Sequence, residues 1–561
     1  MTARHLVIGL DGADVDVIER MGRAALPTLF ALRERGAWAR LRSVVPCATL
    51  PNWTTFLTGA DPGTHGVFDF TTRRGPRVAF TGGTVRAVPT FAARLDRLGR
   101  SCAVVGFPAT FPPERLEHGV FVSGWDSPVD FEADQTYVHP RSLHATLTER
   151  FGPLRFDEAD EFVADQPGWH ASLGARLEAR VARRTELASH LLAMRSWDLF
   201  AFYFGESDTA SHHLYALWDE SSPRHPSDVT DDEREGFGRV YRALDRAVAR
   251  LVEEAGEGVE LTIVSDHGSG PSSDKVLHLN RALASMGFLA FGDAATRRTS
   301  LQGRLRAQAM QHVPPRAKHA LFHAFGRALP GALESRTRFA AIDFARTRVF
   351  SDELNYFPAL WLNLRGREPE GVLDPIDVPR TIEALERALL ALEDPWTGQP
   401  VVRAVWPREA LYDGPLVSRA PDLVLELALD RERRAEGATY NLMPSADELS
   451  EGVFRRMRED ELRGRKGRSL AGSHRDRGLF VAVGPSVRAC GEIDARIADA
   501  SATVLARMGV VQAERPAGRV LKEILVARHD AIPLPELAVE AAAGGELART
   551  EARLRALGYL D

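Results

Sequence analysis

The sequence predicts an α/β protein with a doubly wound, mostly parallel sheet, and three observations carry that expectation. Leu6–Leu10, Leu199–Phe204 and Leu261–Ser265 are short, largely apolar runs of the kind that fill buried parallel strands. Between such runs the spacing of apolar residues changes to that of helices, so strand and helix alternate. Asp11 and the pair Asp266–His267 stand just past strand ends, where ligands collect in open sheets of this class.

Leu6–Leu10 is the first strand. A helix fits near Leu26–Arg35, with Pro27 at its start, where a missing N–H costs nothing. Ala37–Val45 reads as extended and runs into the stretch Pro46–Trp53. Pro51 opens the next helix, which places Thr49 just before it and Asn52 in its first turn. Asp61–Gly66 reads as a loop, Phe91–Leu98 as a helix and Cys102–Gly106 as a strand. A long helical stretch, Leu173–Met194, precedes the strand Leu199–Phe204. Ser221–Asp232 is polar and reads as a mobile surface segment. Thr230 and Glu233 form a capping box for a helix with Val240, Leu244, Val248 and Leu251 on one face.

From about Arg297 to Arg468 the rhythm breaks. This section opens with a basic helical run, Arg304–Arg327, and later offers strands at Trp361–Leu364 and Leu423–Leu427. Leu479–Val483 returns to the sheet, and the end of the chain, through Leu554–Leu560, reads as helical. The expected organisation is a main domain in two parts, residues 1–296 and 469–520. A cap is inserted at 297–468, its two ends flanking the strand-end site, and a helical tail follows at 521–561.

Apolar residues at 44% and charged residues at 26% mark an ordinary globular chain. A net charge of −6 gives no nucleic-acid-binding surface. Cys47, Cys102 and Cys490 lie far apart, which argues against a disulfide framework and a thiolate zinc site. No stretch approaches the roughly eighteen apolar residues of a membrane span. The first strand begins too early to leave room for a signal peptide, so a cytoplasmic location is expected.

Four groups of possible metal ligands stand at or near strand ends: Asp11, Asp208 with His212, Asp266 with His267, and His474. Carboxylate and imidazole are the donors that zinc and its neighbours accept when no thiolate is present. Asp208 and His212 are four apart, so one helical turn puts them on one face. Asp266 and His267 can reach one ion together only from a turn, which Gly268 permits. Thr49 adds a hydroxyl at a helix start, where free N–H groups and the dipole suit a phosphate-like anion. That hydroxyl attacks only if its pKa is lowered, which a metal ion could do and no adjacent residue can. Singly these features are commonplace, since Thr before Pro is ordinary capping and Asp-His-Gly is most often a turn. Their joint placement points to one site.

The order Leu-Asp-Gly (Asp11), Thr-Leu-Pro-Asn (Thr49, Asn52), Asp-x-x-x-His (Asp208, His212), Ser-Asp-His-Gly (Asp266, His267) and Gly-Ser-His (His474) resembles the alkaline phosphatase superfamily. Within it the chain is similar to the type I phosphodiesterase/nucleotide pyrophosphatase branch, and most of all to its prokaryotic predicted phosphohydrolases. Gly205–Asp208, Asn363–Pro369, Ala420–Leu423 and the terminal Leu557-Gly558-Tyr559 are similar to segments of that group. The resemblance implies an alkaline phosphatase-like fold and two divalent metal ions, zinc with manganese as the alternative. Asp208, His212 and His474 would hold one, and Asp11, Asp266, His267 and the Thr49 oxygen the other. It further implies phosphoester hydrolysis through a phosphothreonine at Thr49, with Asn52 on a non-bridging phosphoryl oxygen. The partner would be a small phosphoester; the oligomeric state is open.

Three rivals stand beside a phosphodiesterase: a phosphomonoesterase, a phosphomutase, and a non-catalytic binding protein on the same scaffold. A monoesterase must neutralise one more negative charge, and Arg475, next to His474, is the available cation. A sulfatase is excluded because Cys47–Pro51 departs from the Cys-x-Pro-x-Arg pattern that activity requires.

Overall fold

A computed structural model of the chain describes residues 3–74, 77–81, 83–124, 137–152, 164, 166–292, 339, 341–353, 357–445, 452–465, 469–512, 516–526 and 531–535. The expected helical runs Arg304–Arg327 and Leu554–Leu560 lie outside these residues.

Nine strands of the described residues form the main sheet. Their spatial order is Gly491–Glu492, Ala37–Arg42, Arg477–Val483, Glu260–Val264, Ala3–Leu10, Trp197–Phe204, Cys102–Val105, Val120–Val122, Val138–His139. The five from Glu260–Val264 to Val120–Val122 run parallel. Arg477–Val483 and Val138–His139 run antiparallel to those neighbours, so the sheet is mostly parallel, as the sequence predicts.

Alternate residues of the central strands divide between two cores. Leu6, Ile8 and Leu10 join Phe200, Phe202 and Phe204 on one face, under the helices Trp169–Ala193 and Asp231–Ala255. Val7 joins Leu199, Ala201 and Tyr203 on the other, under Thr49–Thr58 and Ile497–Arg507. Burial on both faces is why these strands read as apolar runs without alternation. The capping box at Thr230 and Glu233 is formed. Among the described residues no helix is long and apolar enough to cross a membrane.

Immediately after Asp266–His267 the strand Gly268–Leu277 leaves the main sheet. It pairs with Ala438–Leu442, Phe454–Arg456 and Gly472–Arg475. A separate four-stranded antiparallel sheet, Val349–Ser351, Ala359–Leu362, Leu423–Leu427 and Val402–Pro407, packs with the helix Val378–Leu390 around a third core. Leu277, Leu279 and Leu283 already belong to this core, well before residue 297. The fully buried Lys275 ammonium joins the two regions, 2.6 Å from Asp394 and 3.0 Å from Asp430.

Two local expectations change. Within Asp61–Gly66 a short helix, Pro62–His65, forms with Asp61 as its cap. Ser221–Asp232 is anchored rather than loose: Arg224 is fully buried and donates to the carbonyls of Leu462, Leu470 and Glu461. Polar composition marks a loop but does not say whether its one long cation is spent inside the protein.

Candidate metal and phosphoester site

Three adjacent parallel strands bring the sequence-predicted residues together. Asp11 follows Ala3–Leu10, Asp266 and His267 follow Glu260–Val264, and the helix Glu206–Trp218, carrying Asp208 and His212, follows Trp197–Phe204. His474 arrives from a distant part of the chain. Its strand pairs antiparallel with Gly268–Pro271 and sets it opposite Ser269.

Thr49 is the first residue of the helix Thr49–Thr58, which starts two residues earlier than the sequence suggests. Pro51 is therefore the third helical residue, which its missing N–H allows because the first turn needs no internal donor. The helix is capped by Ala48, whose side chain has no acceptor to spend on the N–H groups of that turn. Thr54 donates its hydroxyl to Leu50 O at 2.7 Å, and Thr55 lies 3.0 Å from His65 Nε2, so these neighbouring hydroxyls are engaged elsewhere.

All three histidines are oriented by backbone carbonyls, which can only accept. His212 Nδ1 donates to Gly472 O, His267 Nδ1 to Gly268 O, and His474 Nδ1 to Cys47 O, at 3.1, 3.0 and 2.8 Å. Their Nε2 atoms consequently face inward. His267 Nε2 lies 3.4 Å from Asp11 Oδ1 and 3.2 Å from Asp266 Oδ2, and accepts the Thr49 hydroxyl at 3.3 Å. Asp208 Oδ1 lies 3.3 Å from His212 Nε2 and 3.4 Å from His474 Nε2, and those two nitrogens are 3.1 Å apart. Asp11, Asp266 and His267 form one group within 4.8 Å, and Asp208, His267 and His474 a second. His267 is common to both, and its ring stacks on that of His474 at 3.6 Å.

A cation fits this arrangement. Asp11 Oδ1, Asp208 Oδ1 and Asp266 Oδ2 are buried carboxylate oxygens with no hydrogen-bond partner, all turned toward inward-facing imidazole nitrogens. Buried acceptors set against acceptors need positive charge between them. The electrostatics agree. Burial, then repulsion from Asp208, pushes Asp11 up to about 7. Burial, then Asp11 and Asp208, raises Asp266 well above the usual carboxylate range. Burial would also raise Asp208, but His212 and His474 outweigh it and hold that group low.

Some expectations are corrected. The Asn52 amide donates to Ala48 O and Pro46 O, and its oxygen accepts from Val44 N–H, at 2.8, 3.2 and 2.7 Å. It fastens the turn before Thr49 and does not reach toward the cluster. Arg475 faces away from His474, as successive strand residues must, and donates to Thr439 and to the carbonyls of Pro271 and Gly437. It offers no charge to a monoester. His213, the neighbour of His212, packs on Trp169, which leaves His212 as the residue at the cluster. Cys47 is buried, and burial raises its thiol out of the reactive range.

Sequence reasoning missed Tyr203 and Trp53, which both donate to Asp11 Oδ2. A tyrosine in an otherwise apolar strand was the available signal, because a buried phenol needs an acceptor.

A doubly wound sheet bearing carboxylates, imidazoles and a hydroxyl at the ends of adjacent strands defines a class, that of α/β proteins with a candidate metal centre at the strand ends. The chain belongs to the type I phosphodiesterase / nucleotide pyrophosphatase family, whose profile matches residues 5–435, and is by that membership a phosphoric ester hydrolase. Solved structures similar to it include murine ectonucleotide pyrophosphatase / phosphodiesterase 5, at 13% identity and TM-score 0.47. An inactive form of that protein in complex with AMP matches at 14% and 0.47, and the human protein at 13% and 0.48. Each comparison covers 93% of this chain and 100% of the other. No curated protein matches the chain.

Proposed function

We propose that this chain is a phosphodiesterase of the nucleotide pyrophosphatase type that works through Thr49 on two divalent cations, with zinc best suited to the donor set. The observation that carries the reading is the convergence of three unpartnered carboxylate oxygens on inward-facing histidine nitrogens beside the Thr49 hydroxyl. Asp11, Asp266, His267 and Thr49 would hold one ion, and Asp208, His212 and His474 the other. Bound there, such ions would lower the pKa of a coordinated hydroxyl and neutralise charge on phosphoryl and leaving oxygens.

Thr49 Oγ1 attacks phosphorus, forming an O–P bond as the P–O bond to the leaving alcohol or phosphate breaks. The proton lost by Thr49 ends on the leaving group or on water. Water then attacks the phosphothreonine from the vacated side, breaks the Oγ1–P bond and restores the hydroxyl. Backbone N–H groups of the uncapped first turn face the negative oxygens, as in an oxyanion hole. Asn52 contributes by holding the turn in place.

A diester is preferred over a monoester on a specific ground: Arg475, the sequence-adjacent cation, is committed to backbone carbonyls on the far side of its strand. Turnover of bis(p-nitrophenyl) phosphate against p-nitrophenyl phosphate tests this directly. Faster monoester hydrolysis would replace the diesterase reading with a phosphatase one, and isomerisation without net hydrolysis would indicate a mutase.

A further inference from the structure

The two oxygens of Asp11 have different surroundings. Oδ2 accepts two hydrogen bonds, from the Tyr203 hydroxyl at 2.6 Å and the Trp53 indole N–H at 2.8 Å. Oδ1 has no hydrogen-bond partner and lies 3.4 Å from His267 Nε2. A carboxylate with equivalent oxygens could present either one to an ion, or chelate with both. Two donors on one oxygen remove that freedom, as partners behind a metal ligand characteristically do.

The donors are themselves held firmly. Trp53 and Tyr203 are buried, and each must place its polar hydrogen on an acceptor. The Trp53 ring lies over Gly9, where a Cβ would come within 2.9 Å of it, so the missing side chain makes room for the indole. The rings of Phe107 and Tyr203 stand steeply inclined to it, at centroid distances of 5.2 and 5.5 Å. Trp53 also lies four residues after Thr49 on the same helix, and so on the same face. The indole that holds Asp11 therefore belongs to the element that carries the hydroxyl.

We propose that Tyr203 and Trp53 are positioning residues that commit Asp11 to offering Oδ1 alone to a cation, and that Trp53 fixes that oxygen relative to Thr49. The inference rests on the two-cation reading above. Its test is zinc titration of chelator-stripped protein against a chromophoric chelator, for the parent, Tyr203→Phe and Trp53→Phe. The parent should take up two ions. Tyr203→Phe should bind one of them about tenfold or more weakly, the scale on which such partners act, and the other unchanged. Trp53→Phe, which keeps a ring but lacks the N–H, should weaken the same ion. A role in packing alone would move both affinities or neither. If Tyr203→Phe binds both ions as tightly as the parent, the inference is overturned and the two-cation reading stands. If the parent takes up fewer than two, that reading falls and the inference falls with it.

Discussion

Tyr412, just after the short helix Arg408–Leu411, donates its hydroxyl to the carbonyl of Val45, four residues before Thr49, at 2.9 Å. The same segment continues the contact: Asp413 N–H donates to Asp61 Oδ1, Leu416 N–H donates to Gly63 O, and the Tyr412 ring meets Phe68. The segment Tyr412–Leu416 thus grips the chain on both sides of the helix that presents Thr49. Tyr412→Phe should cost about 1 kcal/mol of stability, the usual worth of one hydrogen bond. It should also lower turnover with metal content unchanged, because the turn loses a support while the ligands do not. Denaturant titration together with elemental analysis checks both.

Thr49→Ala should keep the fold and the metal content but lose roughly a thousandfold or more in rate, the scale of removing an activated nucleophile. Thr49→Ser should retain part of the activity. Acid-quenched enzyme with a slow substrate should carry a phosphoryl group on the Thr49 peptide in mass spectrometry. Undiminished hydrolysis by Thr49→Ala would assign the attack to water.

Metal stoichiometry discriminates between the ligand groups. Protein purified without chelator should contain close to two transition-metal ions per chain, and His212→Gln with Asp208→Asn should contain close to one. Inductively coupled plasma analysis gives the counts. The same content in parent and double variant would remove these two residues from the ligand set.

Glu206 is fully buried and accepts from Arg180 Nε at 2.9 Å, with Arg184 3.0 Å from the same oxygen. It begins the helix that bears Asp208 and His212. Glu206→Gln removes the negative charge between two buried guanidiniums and should cost about 3–5 kcal/mol. Urea unfolding measures that loss, and a change below 1 kcal/mol would mean the helix is held by packing alone.

His65 accepts Val67 N–H on Nδ1 and meets Thr55 through Nε2. Burial, then Arg86, lowers its pKa to about 3. It stays neutral in the fold but titrates near 6.5 when unfolded, so the unfolded chain binds the extra proton between those values. The stability it contributes is complete above the unfolded value and declines as pH falls toward the folded one. His65→Gln should therefore be clearly less stable than the parent at pH 7, and the gap should narrow by pH 5. Paired denaturation curves at both pH values measure this, and taking the difference cancels other titrating groups.

Asp11, Asp266 and His267 stood out in the sequence as possible ligands because each follows a local pattern of an apolar run and then a turn. Asp208 and His212 needed only helical spacing. Residues whose work depends on direction were harder. Asn52 and Arg475 have the right chemistry beside the right neighbours, yet one turns back on its own loop and the other lies on the opposite face of its strand. Strand alternation could have revealed the second. Tyr203 signals that it needs an acceptor, but that it shares Asp11 with Trp53 could not be read, because Asp11 lies 192 and 42 residues away in the chain. The earlier start of the third core, at Leu277, had no signal either, since an apolar residue does not say which core it enters.

The strand bearing His474 pairs with Gly268–Pro271, and Ala471 just before it donates its N–H to the carbonyl of His212, so a late part of the chain closes the cluster. A chain ending before that strand would lack the imidazole that stacks on His267 and lies 3.4 Å from Asp208.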